Sequence, residues 1–134
     1  MRVFVALIAT VAVLAGCGFD VQSADLFQVT RTGQGQKLTL LVNDSGTIAC
    51  NGGKPKALPD RLLLQARDLR TTLNADAKAK ARFPANPGSV FRYTVKVQNG
   101  TFTFPDTAAG ARKELAQLVL LVVQAAADPC GINA

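Results

Sequence analysis

The sequence predicts an α+β fold, in the order β-β-β-α-β-β-α, in which an antiparallel sheet of four or five strands carries two helices on one face. Three observations lead there. The stretches LFQVTRT (residues 26–32) and KLTLLVN (37–43) alternate apolar and polar side chains with the period of a half-buried strand. The stretch VFRYTVKVQNGTFTFP (90–105) holds two more such runs on either side of Asn99-Gly100, the dipeptide of a tight hairpin. Leu62, Ala66, Leu69 and Leu73, and later Leu115, Leu118, Val119 and Val122, recur at helical spacing.

Taken in order, Phe27 and Val29 share one face of the first strand, with Gln28 and Thr30 on the other. Gly33-Gln34-Gly35-Gln36 is a turn by composition, and Leu38, Leu40 and Val42 then form the apolar face of a second strand. Asn43-Asp44-Ser45-Gly46 turns the chain into a third short strand, Thr47 to Cys50. The loop Asn51-Gly52-Gly53-Lys54-Pro55-Lys56 reads as a plain connection; as an anion-binding nest it lacks phosphate-loop spacing. Pro59 suits the first turn of a helix and Asp60 its positive end. That helix ends before Pro84, Pro87 and Gly88, leaving Lys78, Lys80 and Arg82 as a cationic strip on a solvated edge. In the hairpin, a two-residue turn at Asn99-Gly100 sets Val97 opposite Phe102 and Val95 opposite Phe104. Phe91 and Tyr93 extend that apolar side, and Arg92, Thr94, Lys96, Thr101 and Thr103 form the wet one. The last helix is expected to start with Asp106 or Thr107 as N-cap, to bury Ala111 with Leu115 and Leu118, and to end at Asp128-Pro129. Its further apolar residues, Leu120, Leu121 and Val123, imply deep packing or a patch for a partner.

The N-terminus has a different character. Met1-Arg2 places one positive charge before an apolar run from Val3 to Leu14 that only Thr10 interrupts, the pattern of a cleaved secretory signal. The run meets Gly16, Gly18 and Asp20 too early for a spanning helix, which needs roughly 20 apolar residues. Leu14-Ala15-Gly16-Cys17 resembles the lipobox of bacterial lipoproteins. That resemblance implies cleavage before Cys17, a diacylglycerol on its thiol, and a position on the extracytoplasmic side of the cell membrane. Two acyl chains supply the two signals that stable anchoring requires. The expected organisation is therefore a signal peptide at 1–16, a lipidated tether at 17–25 and a single domain at 26–134.

With Cys17 assigned to lipid, Cys50 and Cys130 remain, in a compartment where disulfides persist. Neither has CxxC spacing or the neighbouring base that a reactive thiol needs, so they are expected to bond to each other. The formal net charge of +6 suits anionic envelope components and the membrane surface. Nucleic acid is not an expected partner, since the chain carries a signal, one Tyr and no Trp.

There is no histidine, which excludes Ser-His-Asp and Cys-His catalysis and imidazole-built zinc sites. The only glutamate is Glu114, and Asp60 and Asp68, eight positions apart, read as helix cap and solvated charge. The expectation is a protein that is not an enzyme and takes no cofactor. VTRTGQG (29–35), FRYTVKVQNG (91–100) and the leucine-rich helix after them resemble emfourin, a small bacterial family of inhibitors of thermolysin-type metalloproteases. The resemblance covers residues 26–127. Cys50, Cys130, the CNGGKPK stretch and the lipid anchor depart from that family, and no inhibitory residue carries across. Two functions are thus expected in turn: a lipid-anchored, non-catalytic binding or structural module of the envelope, or a surface-tethered protease inhibitor.

Overall fold

The computed structural model describes residues 24–133; the expected signal segment at 1–16 and Cys17 lie outside them. Strands β1 (Asp25–Gly33), β2 (Gln36–Asn43) and β3 (Thr47–Cys50) form a meander, and β4 (Lys56–Ala57) adds a short edge. Helix α1 (Asp60–Lys78) carries the chain back to β5 (Arg92–Val97) and β6 (Gly100–Pro105), and α2 (Lys113–Ala127) closes the domain. The sheet order is β4-β3-β2-β1-β5-β6, antiparallel throughout. The fold class is the expected one with a sixth strand added. Two residues behind Pro55 have no alternation to reveal them, and β4 exists only because it pairs with Ile48 and Thr47.

β1 is the axis of the sheet, paired with β2 on one side and β5 on the other. Its inward residues Phe27 and Val29 are fully buried, as are Leu40, Val42, Ile48 and Val95 beside them. A bulge between Asp25 and Phe27 turns Leu26 inward as well. Burying each such side chain contributes about 1.5–3 kcal/mol. Both helices lie over this face. Leu62, Ala66, Leu69 and Leu73 of α1 and Leu115, Leu118, Leu121 and Val122 of α2 enter the same core. The helices run antiparallel, joined at one end by Arg61 Nη1 donating to Gln124 Oε1 (3.0 Å) and at the other by Arg112 with Asp76 (3.0 Å). Arg67 donates to the Asp44 carboxylate (2.7 Å) and backbone carbonyl (2.9 Å), fixing α1 to the β2–β3 turn.

The hairpin register differs from the expected one by two residues. Val95 faces Phe102, Tyr93 faces Phe104, and Val97 faces Gly100, so Gln98 and Asn99 occupy the turn. Asn99 does not take a positive φ; Gly100 does, at +138°. Tertiary contacts decide the matter. The Asn99 amide donates to Asn74 Oδ1 (3.3 Å), and Gly100 faces the last turn of α1. The observed pairing also stacks Tyr93 on Phe104, with centroids 5.1 Å apart. Because the shift is even, the faces survive: Tyr93, Val95, Val97, Phe102 and Phe104 are all buried. Phe91 is only half-buried and packs against the core from its margin.

The start of the last helix also differs. Asp106 to Gly110 form a 3-10 turn, α2 begins at Lys113 without a side-chain cap, and Ala111 is exposed. Asp106 is unavailable as a cap because its carboxylate accepts from Ser89 Oγ (2.7 Å) and from the amides of Phe91 (3.0 Å) and Val90 (3.1 Å). It pins the long α1–β5 connection instead.

At the β1–β2 turn, Gln34 and Gly35 both have positive φ (+52° and +72°), as a primed two-residue turn requires. Gly33 before it has φ +152°, and a Cβ there would lie 2.4 Å from the Val90 carbonyl oxygen. Gly33→Ala should therefore lower stability by about 2–3 kcal/mol. Gly35→Ala, whose Cβ meets nothing within 4 Å, should cost only about 1 kcal/mol. Urea midpoints of the two variants check this order.

Candidate functional site

The helices cover one face of the sheet and leave the other open. Outward positions form rows across the strands: Thr39, Thr30, Thr94 and Thr103 stand side by side on β2, β1, β5 and β6, and Lys37, Thr32 and Arg92 form the next row. Lys96 and Gln28 face each other in the row on the opposite side of the threonines. Apart from Asp25 at the head of β1, no residue of the six strands is acidic, whereas the strands carry Arg31, Lys37, Lys56, Arg92 and Lys96. All of these but Arg31 lie outside the core.

Over β1 to β3 the open face is hollowed into a groove of about 640 Å³, floored by Gln28, Thr30, Thr39, Leu41 and Ala49 and walled by Asn51, Gly52 and Gly53, with Lys37 at its margin. Local backbone chemistry builds the wall. Asn51 takes a left-handed φ of +51°, donates its amide to the Thr39 carbonyl (2.7 Å) and accepts the Thr39 amide on Oδ1 (2.8 Å). The Gly53 amide donates to the Cys50 carbonyl (3.0 Å). Two amides of the supposed nest are thus spent on the chain itself, which removes them from any anion.

The Cys50–Cys130 disulfide lies at the root of this wall, as expected, with Cα atoms 5.8 Å apart across a sequence separation of 80. Cys50 is the last residue of β3, on its inward face, and the buried Cys130 follows α2. The Cys130 and Ile132 amides donate back to Ala125 (3.1 Å) and Ala126 (2.7 Å), so the tail is folded onto the helix before it reaches the bond.

The other anticipated residues do not converge. Cys17 lies outside the described residues. Lys78 ends α1, Lys80 follows with φ +52°, and Arg82 lies beyond; all three are exposed, far along the chain from the groove, and Lys78 complements the negative end of α1. Leu121 is deeply packed, while Leu64, Leu120 and Val123 stay 59, 52 and 42 % exposed on the helices. Among the described residues no helix is long and apolar enough to cross a membrane, and no group of three His, Cys, Asp or Glu is placed to hold a metal.

One residue went unremarked in the sequence. Arg31 occupies an inward position of β1 and is 5 % exposed, its guanidinium 4.8 Å from the centre of the Phe91 ring. The alternation that buries Phe27 and Val29 points to it directly. Burial raises the Tyr93 phenol above its usual pKa, against the opposing pull of the Arg31 charge beside it. Asp106 shifts the other way: some desolvation would raise its pKa, but the Ser89 hydroxyl and the amides of Phe91 and Val90 outweigh it and hold the carboxyl low. Both shifts follow from packing at the end of the sheet away from the groove wall.

A carboxyl whose pKa is lowered in the fold stabilises it above the ordinary carboxylate range, and that contribution disappears as pH falls through the lowered value. Asp106→Asn should therefore be less stable than the parent near pH 7, and the difference should shrink at about pH 3. Urea midpoints at the two pH values test it. For the bridge, replacing both Cys50 and Cys130 with Ser should cost about 3–4 kcal/mol, somewhat below the chain-entropy limit for so long a loop. Non-reducing peptide mapping of the parent should recover the Cys50–Cys130 peptide pair and no free thiol at either position.

The chain matches no protein-family model, no curated protein and no solved structure.

Proposed function

We propose that the protein is a lipid-anchored lipoprotein of the cell envelope, held on the extracytoplasmic side of the membrane by diacylglycerol on Cys17, and that its domain is a non-catalytic binding or structural module. The observation that carries this is Leu14-Ala15-Gly16-Cys17 directly behind a charged and then apolar segment. Two features support it. β1 begins at Asp25, eight residues after Cys17, a length that spans at most about 29 Å and keeps the domain close to its anchor. The disulfide suits an oxidising compartment. The groove on the open face supports the binding role, because a concave surface with donors on its floor offers a ligand more than a flat one does.

The exposed loop from Asn51 to Pro55, fixed at its root by the disulfide and by Asn51 on Thr39, favours a second reading as a tethered protease inhibitor. A loop held at its root docks with little ordering cost. Titrating a thermolysin-type protease with the chain separates the two readings: stoichiometric loss of activity belongs to the inhibitor, unchanged activity to the module.

For the anchor, Cys17→Ala should abolish lipidation, since no other residue can carry the thioether. Growth with a tagged fatty acid should label the parent and leave the variant unlabelled. Equal labelling of both would refute the assignment of Cys17.

A further inference from the structure

We propose that the open face of the sheet binds a linear, phosphate-bearing polyanion of the envelope. The proposal rests on the reading of the domain as a binding module and names what it binds. The strands have segregated charge: their one carboxylate is Asp25 at the head of β1, while Lys37 and Arg92 stand outward in one row with Thr32 between them, about 10 Å apart at two strand spacings. Donors fill the row beside it. The Thr30 and Thr39 hydroxyls lie 3.3 Å apart on the groove floor, so one donates to the other and the second remains free to donate outward. Asn51 has its carbonyl oxygen committed to the Thr39 amide, which leaves its NH2 group for a ligand. Hydroxyl and amide donors beside two cations, with no carboxylate among them, complement phosphate oxygens, whose charge strengthens each hydrogen bond.

The shape selects a chain over a surface. The groove is a hollow of about 640 Å³ bounded by Asn51 to Gly53, which a flat bilayer fills poorly, whereas a single polymer strand can lie in it and continue past Thr32 to Arg92. A neutral glycan is disfavoured because no aromatic side chain lines the groove to stack on a sugar ring.

The test is titration of the full chain, in a non-ionic detergent, with linear inorganic polyphosphate. The parent should bind, and binding should weaken steeply between about 50 and about 200 mM salt. Lys37→Gln with Arg92→Gln should weaken binding about tenfold or more, whereas Lys78→Gln with Lys80→Gln, the same change of charge at the end of α1, should have less than about a threefold effect. Unchanged thermal melting confirms that both pairs of substitutions leave the fold intact. Absence of binding by the parent, or equal weakening by both pairs, overturns the proposal. So does a parent that ignores polyphosphate while phosphatidylglycerol, but not a neutral lipid, added to its detergent micelles shields Lys37 from an amine-reactive label, which would make the membrane surface the partner. Fatty-acid labelling at Cys17 is scored separately, so the anchor and the polyanion site fail independently.

Discussion

The fold depends on the burial of one face of β1. It is the central strand, the β2–β3 arm and the β5–β6 hairpin hang from its two sides, and Phe27 and Val29 are the inward residues around which β2 and β5 set their register. A one-residue slip on either side would turn an entire apolar row toward water. The helices follow from the same constraint. α1 and α2 cover the dry face, and their ends are tied together by Arg61 with Gln124 and Arg112 with Asp76. The disulfide then fastens the far ends of the two layers, the close of β3 to the tail of α2.

What the sequence made legible was the part governed by periodicity. The strands β1, β2 and β3, the two helices and the inward faces of β5 and β6 are all written in local alternation, and side-chain period is a strong constraint when one face must be dry. What it hid was set by partners distant in the chain. Asn99-Gly100 suggested its own turn, yet the contact with α1 at Asn74 moved the turn to Gln98-Asn99. Asp106 suggested a helix cap, yet Ser89 and two amides claimed its carboxylate. Arg31 was legible and overlooked, because a cation on an apolar face contradicts the expected pattern until Phe91 and Tyr93 are beside it. The Cys50–Cys130 pair was accessible by counting cysteines. The groove was not, because it is lined from three strands and from the loop that Asn51 folds back onto Thr39.

The two faces divide the work of the molecule. The dry face carries the aromatic cluster of Tyr93, Phe102 and Phe104, with Phe83 from the α1–β5 connection set against Phe104 at 6.1 Å. The wet face carries threonines and cations and contributes little to the core, so its composition is free to answer to something outside the fold. Acidic residues have gathered on caps, loops and helices, several with structural partners there: Asp44 with Arg67, Asp76 with Arg112, Asp106 with Ser89. Lys37, Arg92 and Lys96 thus give the uncovered face of the sheet a local positive charge, which raises the concentration of anions near it.

The central claim is that the sheet has one dry face and one uncovered wet face, with β1 carrying both. Thiol accessibility on that single strand tests it most directly. Thr32→Cys, at an exposed outward position, and Val29→Cys, at an inward one, differ by three residues along β1. In the native full chain a soluble maleimide should label Cys at 32 at nearly the rate of an unfolded thiol and Cys at 29 only after denaturation. Comparable protection at both positions would mean that the second face is covered too, and labelling at 29 without unfolding would mean that the register of β1 is wrong.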